Sequence, residues 1–101
     1  ETFVNSIGYY KPDNRINVTD ISYNQDNTVT VKAESSFNNI SEISFQINGT
    51  EILKSTVSSD GTASITFDSS KLDETGKNMV QIHGMDKEGK YLEQSTNYKI
   101  F

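Results

Sequence analysis

The chain has 101 residues with one histidine, His83, and no cysteine. Without cysteine there are no disulfides, thiolate metal sites or thiol nucleophiles in this segment. His83 would have to serve as the base of any Ser-His-carboxylate triad, held by an orienting group beside an activated nucleophile. Serines and carboxylates are plentiful, but no serine stands in a Gly-x-Ser-x-Gly turn. His83 alternates outward from Val80 and Ile82, so it reads as a solvated strand residue. Carboxylates gather at Asp60, at Asp68 with Asp73 and Glu74, and at Asp86 with Glu88. Calcium takes six to eight oxygens, which turns at one end of a β-sandwich can supply. None of these segments has the acidic spacing of an EF-hand loop, and turn chemistry accounts for their aspartates. A glycosidase pair would need a cleft with tuned pKa values. Tyr9-Tyr10 could stack on sugar rings, although neighbours on an extended strand point to opposite faces. These two tyrosines are the candidate ligand contacts. No catalytic residue, metal or cofactor is expected, and the chain is read as a non-enzyme.

The elements that would carry these residues are short strands. Ile16 and Val18 share one parity and Ile21 and Tyr23 the other, which predicts a bulge near Thr19-Asp20. After the turn Asn24-Gln25-Asp26-Asn27, Val29, Val31 and Ala33 alternate with Thr28, Thr30, Lys32 and Glu34. Ile43, Phe45 and Ile47 point inward, with Ser44 and Gln46 outward. Asn48-Gly49 follows at once and predicts a type I′ hairpin turn into Thr50 to Val57. Asp60-Gly61 is a second turn, ahead of inward Ala63, Ile65 and Phe67. Leu72 is expected to plug one end of the core, with at most a short helical turn at 69–73. Val80 and Ile82 face inward, with Gln81 and His83 outward. Asp86 to Gly89 turns the chain into a last strand where Leu92, Tyr98 and Ile100 share the inward parity. About seven strands at spacings of roughly 8–12 residues predict a sandwich. Pro12 stands ahead of the first strand, where it interrupts no ladder. Residues 1–14 read as a linker or an extra edge strand, and 15–101 as the domain.

Composition narrows the partners. The formal net charge is −5, with nine Lys and Arg against fourteen Asp and Glu. Nucleic-acid binding draws on phosphate neutralisation by basic residues, which excludes that class here. An anionic membrane surface would repel the chain, and no apolar run approaches the roughly 20 residues of a membrane span. No basic segment leads into an apolar one as in a signal peptide. The chain opens on Glu1 rather than Met, so a processed protein or a piece of a longer one is expected. Three Asn-x-Ser/Thr matches begin at Asn17, Asn39 and Asn48, as an Asn-rich and Thr-rich chain produces by chance.

The run Ile43-Ser44-Phe45-Gln46-Ile47-Asn48-Gly49-Thr50-Glu51-Ile52 resembles a strand–turn–strand of bacterial immunoglobulin-like domains. Asp60 through Phe67 resembles their next strand. Leu72, Gly76, Asn78, Val80, Ile82 and Asp86 through Gly89 resemble the closing segment, in which a Gly-x-Asn strand leads to an Asp-x-x-Gly turn. The resemblance covers residues 15–101. It implies a Greek-key β-sandwich, all-β and immunoglobulin-like, of about seven antiparallel strands in two sheets. Such domains often repeat in tandem in bacterial surface and secreted proteins. The chain departs from the antibody pattern in having no Trp, no cysteine pair and no Tyr on the 78–85 strand. The family shares no binding motif, so no site residue carries over. Gram-positive surface domains of this general kind often form a Lys–Asn isopeptide cross-link. None is expected here: Asn97 reads as pointing to solvent, the run Ile16 to Tyr23 holds no Lys, and Lys32 alternates outward.

The expected function is a non-catalytic immunoglobulin-like module of an exported bacterial protein, acting as a spacer or a protein-interaction and adhesion domain. Its location would be extracellular or on the cell surface, in a Gram-positive organism. A carbohydrate- or cell-wall-binding accessory module of a hydrolase or adhesin is one alternative, and a phage virion decoration domain another. The expected partner is a protein or a glycan, with no nucleic acid and no membrane insertion. The domain is expected to be a monomeric module of a larger chain.

Overall fold

The structure is a computed structural model that describes residues 12–101. The alternating runs form seven strands: β1 (Ile16–Tyr23), β2 (Thr28–Ser35), β3 (Glu42–Ile47), β4 (Thr50–Thr56), β5 (Thr62–Asp68), β6 (Met79–Met85) and β7 (Tyr91–Ile100). A single 3-10 turn, Ser69–Lys71, follows β5. The strands lie in two antiparallel sheets, ordered β1-β2-β5 and β4-β3-β6-β7. The chain is therefore an all-β sandwich of three strands on four. Residues 1–11, and with them Tyr9 and Tyr10, lie outside the described residues.

Period-two burial builds the core between the sheets. Val29, Val31, Phe45, Ile47, Ile65, Phe67, Val80 and Ile82 are all buried, joined by Ile16, Ala33, Ile43 and Ala63. Leu72 is half-buried against this cluster, as a plug at one end should be. The radius of gyration is 12.9 Å, against about 13 Å for a compact chain of this length. Both residues of the Asn48-Gly49 turn are left-handed, with φ of 52° and 89°, as a type I′ turn requires.

Three irregularities set which face each side chain takes. Val18 pairs with Ala33 and Asp20 with Lys32, leaving Thr19 as the extra residue of the expected bulge. Phe45 pairs with Leu53 and Gln46 with Glu51, so Ile52 is an extra residue on β4. In the third, His83 pairs with Thr96 and Met85 with Tyr91, so residues 92–95 stand against Gly84 alone. The Ser95 hydroxyl ties this loop-out by donating to the Leu92 carbonyl at 2.5 Å. Three surplus residues invert the parity of β7. Asn97 consequently lies beside inward Ile82, and Tyr98 beside outward Gln81.

This corrects two expectations. Tyr98 and Ile100 are exposed on the outer side rather than buried. Asn97 does not point to solvent. Its amide Nδ2 donates to the Ile16 carbonyl at 2.7 Å, to the Asp13 carbonyl at 3.2 Å and to Asn17 Oδ1 at 3.1 Å. It clasps β7 to the start of β1, where Pro12 also forms a parallel bridge with Thr96. β1 starts at the pole of the Asp60-Gly61 turn, since Ile16 pairs with Ser35 and Ser35 bonds Gly61. β7 ends at the other pole, where Phe101 and Asn78 exchange two backbone hydrogen bonds.

Candidate functional site

The outer face of the four-stranded sheet is polar yet shielded from water along its middle. Ser44 and Gln81, expected to be solvated, are fully buried there, and Met79, Met85 and Thr96 are nearly so. Outward parity was read correctly for Ser44, Gln81 and His83, but exposure did not follow from it. Register explains part of the shielding. Ser44, His83 and Thr96 form one cross-strand row, and Gln46, Gln81 and Tyr98 the next. Glu51 of β4 and Tyr91 of β7 reach over the first row from opposite sides.

Those two side chains make the site. The Ser44 hydroxyl donates to Glu51 Oε2 at 2.6 Å, and the Tyr91 hydroxyl donates to the same oxygen at 3.3 Å. The Tyr91 ring lies over His83, with centroids 4.4 Å apart and planes tilted by 31°. His83 Nε2 faces the Leu92 carbonyl at 3.1 Å. Burial pushes the imidazole below its ordinary pKa, with the Leu92 carbonyl opposing, so it is neutral at pH 7. Nε2 then carries the proton and donates it to that carbonyl. Among the described residues Gln81 has no hydrogen-bond partner for either amide atom.

This arrangement suits contact rather than nucleophilic chemistry. Ser44 is closed to solvent, and its proton is held by a carboxylate that it shares with a tyrosine. What the face offers outward is the half-exposed Tyr91 ring, the Glu51 carboxylate and the exposed Tyr98 ring. An aromatic face with polar groups at its rim fits a hydroxyl-rich or amphipathic partner. Sequence reading missed Glu51 and Tyr91 as site residues. Glu51 was within reach, because a two-residue turn at 48–49 fixes its strand against Gln46. Tyr91 was also within reach, because the turn at Asp86 to Gly89 sets it opposite Met85. What alternation did not show is that its ring lies over His83 and its hydroxyl reaches Glu51.

The aspartates of the carboxylate groups singled out from the sequence are turn caps. Asp86 Oδ1 accepts the backbone N–H of Glu88 at 2.9 Å and of Lys90 at 3.0 Å. Asp60 accepts the Ser58 and Thr62 hydroxyls, Asp68 the N–H of Ser70, and Asp73 the N–H of Thr75. These bonds favour the ionised form and lower each pKa. Asp13, bonded by Arg15, is held at about 2. Among the described residues no group of three or more His, Asp or Glu is placed to hold a metal ion. Asn78 ties three segments: its Oδ1 accepts Asn48 Nδ2 at 2.9 Å and the Asp73 N–H at 2.6 Å. Compared with protein-family models, curated proteins and solved structures, the chain matches none.

Proposed function

We propose that this chain is a non-catalytic immunoglobulin-like module of an exported bacterial protein, serving as a spacer or a protein-interaction and adhesion domain. The observation that carries the reading is the placing of β1 and β7: one begins at one pole and the other ends at the opposite pole. A chain that enters at one end and leaves at the other holds its neighbours apart by its own length. The strand orders β1-β2-β5 and β4-β3-β6-β7 correspond to A-B-E and C′-C-F-G of immunoglobulin-like sandwiches, which supports the Greek-key assignment. Two copies joined head to tail and measured by small-angle scattering should form an elongated particle. A folded-back, side-by-side pair would refute the spacer role.

A second reading, a glycan- or cell-wall-binding accessory module, is favoured by the Glu51–Tyr91–His83 face. Retention of the domain on insoluble peptidoglycan separates the two. The second reading requires retention that Tyr91→Ala and Glu51→Gln abolish, and the spacer reading requires none.

A further inference from the structure

Sheet edges that end in unpaired backbone groups invite a further strand, and proteins normally guard them with bulges, charges, proline or a covering segment. Three of the four edges here are guarded. β1 carries the extra residue Thr19 beside Asp20 and is clasped to β7 through Asn97. β4 carries the extra residue Ile52 between Glu51 and Lys54. β7 has its loop-out and the Pro12 bridge. β5 has none of these. It runs Thr62-Ala63-Ser64-Ile65-Thr66-Phe67 without a charge until Asp68, its register with β2 is unbroken, and among the described residues no strand pairs with its second edge.

We propose that β5 pairs through this edge with β5 of a second copy of the chain, antiparallel and about a two-fold axis at Ile65. The alternation of the ladder fixes which groups are on offer. Ser35 N–H bonds the Gly61 carbonyl at 2.8 Å, and Ser69 N–H bonds the Asn27 carbonyl at 2.9 Å. Odd-numbered residues of β5 therefore bond β2, and Ser64 and Thr66 turn their N–H and C=O groups the other way. Thr62 is already spent, its carbonyl on Ser58 and its N–H on Asp60. A two-fold axis at Ile65 sets Ser64 opposite Thr66 of the second copy, and the reverse. Four backbone hydrogen bonds form, and a six-stranded sheet results. This is a self-complementary contact of the kind that closes as a dimer. Asp68, the one charged residue of the strand, then faces an uncharged Thr62, so no like charges meet across the seam. In this the module departs from the monomer expected from its sequence.

Sedimentation of the full chain from about 10 μM to about 1 mM spans the range of a weak, transient contact. The mass should rise from 11.3 kDa toward twice that value. Added salt should strengthen the association, because each copy carries a net charge of −5 and screening removes the repulsion. Thr66→Pro deletes an N–H that β2 does not use, which an edge strand tolerates. It should weaken association about tenfold or more, since it removes two symmetry-related bonds, while the domain still folds with only the small loss expected from the exposed Thr30–Thr66 hydroxyl bond that goes with it. Ser64→Lys with Thr66→Lys places like charges opposite each other and should also abolish pairing. Ser64→Lys with Thr66→Glu places opposite charges there and should restore it. This second pair of variants decides the matter even if the proline variant does not fold. A chain that stays monomeric throughout, or an association indifferent to these substitutions, overturns the proposal.

Discussion

Replacing Gln81 with Met should make this protein more stable, although it deletes a polar side chain from the outward side of a strand. Gln81 is fully buried on the central strand β6, and among the described residues neither amide atom has a hydrogen-bond partner. In the unfolded chain water satisfies both. A buried donor or acceptor left unmet costs about 1–3 kcal/mol. Met has nearly the same length and flexible apolar contacts, so it removes that cost without opening a cavity. Counting the amide as one group, the gain is about 1–3 kcal/mol, or a melting temperature higher by about 4–8 °C per kcal/mol for a domain of this size. Urea unfolding should show a higher midpoint at an unchanged slope. Gln81→Glu should do the reverse, because it buries a charge in the same unpartnered place. A loss of stability in the Met variant would refute the reasoning, and would mean that an ordered water or another group satisfies the amide.

Asn97→Ala should cost about 1–3 kcal/mol by unmaking the clasp on the Ile16 carbonyl. Asn97→Asp should cost more at pH 7, because an acceptor-only group would face two carbonyls and an amide oxygen. It should recover in part as the pH falls and the carboxyl gains a proton. Gly61→Ala should destabilise by at least about 1–2 kcal/mol, the usual penalty for a left-handed residue with a side chain. Gly61 has φ +84°, and a Cβ there would lie 2.5 Å from the Ser35 carbonyl oxygen. Stability should fall in two acid steps. The first begins as the pH falls through the ordinary histidine range, where the unfolded chain takes up the proton first, and ends at the lowered pKa of His83 in the folded protein. The second runs from the ordinary carboxylate range down toward pH 2, as the depressed Asp13, Asp60, Asp68, Asp73 and Asp86 are protonated. A pH titration of the melting temperature that stays flat from 7 to 3 would contradict both. Intact mass spectrometry should return the full sequence mass, with no ammonia lost, because the Asn97 amide is committed to β1 and that strand holds no Lys.

The strand framework could be read from the sequence wherever alternation was unbroken. β2 and β5 show it most plainly, with one face apolar and the other polar at every step. The Thr19-Asp20 bulge was legible because a parity change appears inside one short run. The loop-out at 92–95 was not, since its surplus is hidden among Glu, Gln, Ser and Thr, which fit either face. One missed irregularity then displaced Asn97, Tyr98 and Ile100 together. The site suffered from a different gap. Alternation reports which side of a sheet a residue takes, and it says nothing of what lies over that side. Ser44 and Gln81 were given the correct side and the wrong environment for this reason.

The shared direction of β1 and β7 has a mechanical consequence. Both strands run from the same pole toward the other, and they touch through Asn97, Asp13 and Pro12. Tension applied to the two ends pulls β1 back toward one pole and β7 onward to the other. The bonds between them lie across the direction of pull, so they are loaded in shear and must give way together instead of one after another. Resistance to such a pull is governed by the barrier to unfolding, not by the equilibrium stability. A domain loaded in this way can hold against a transient tug that its modest size would not suggest, and the Asn97 amide sits at the point where that load crosses the sandwich.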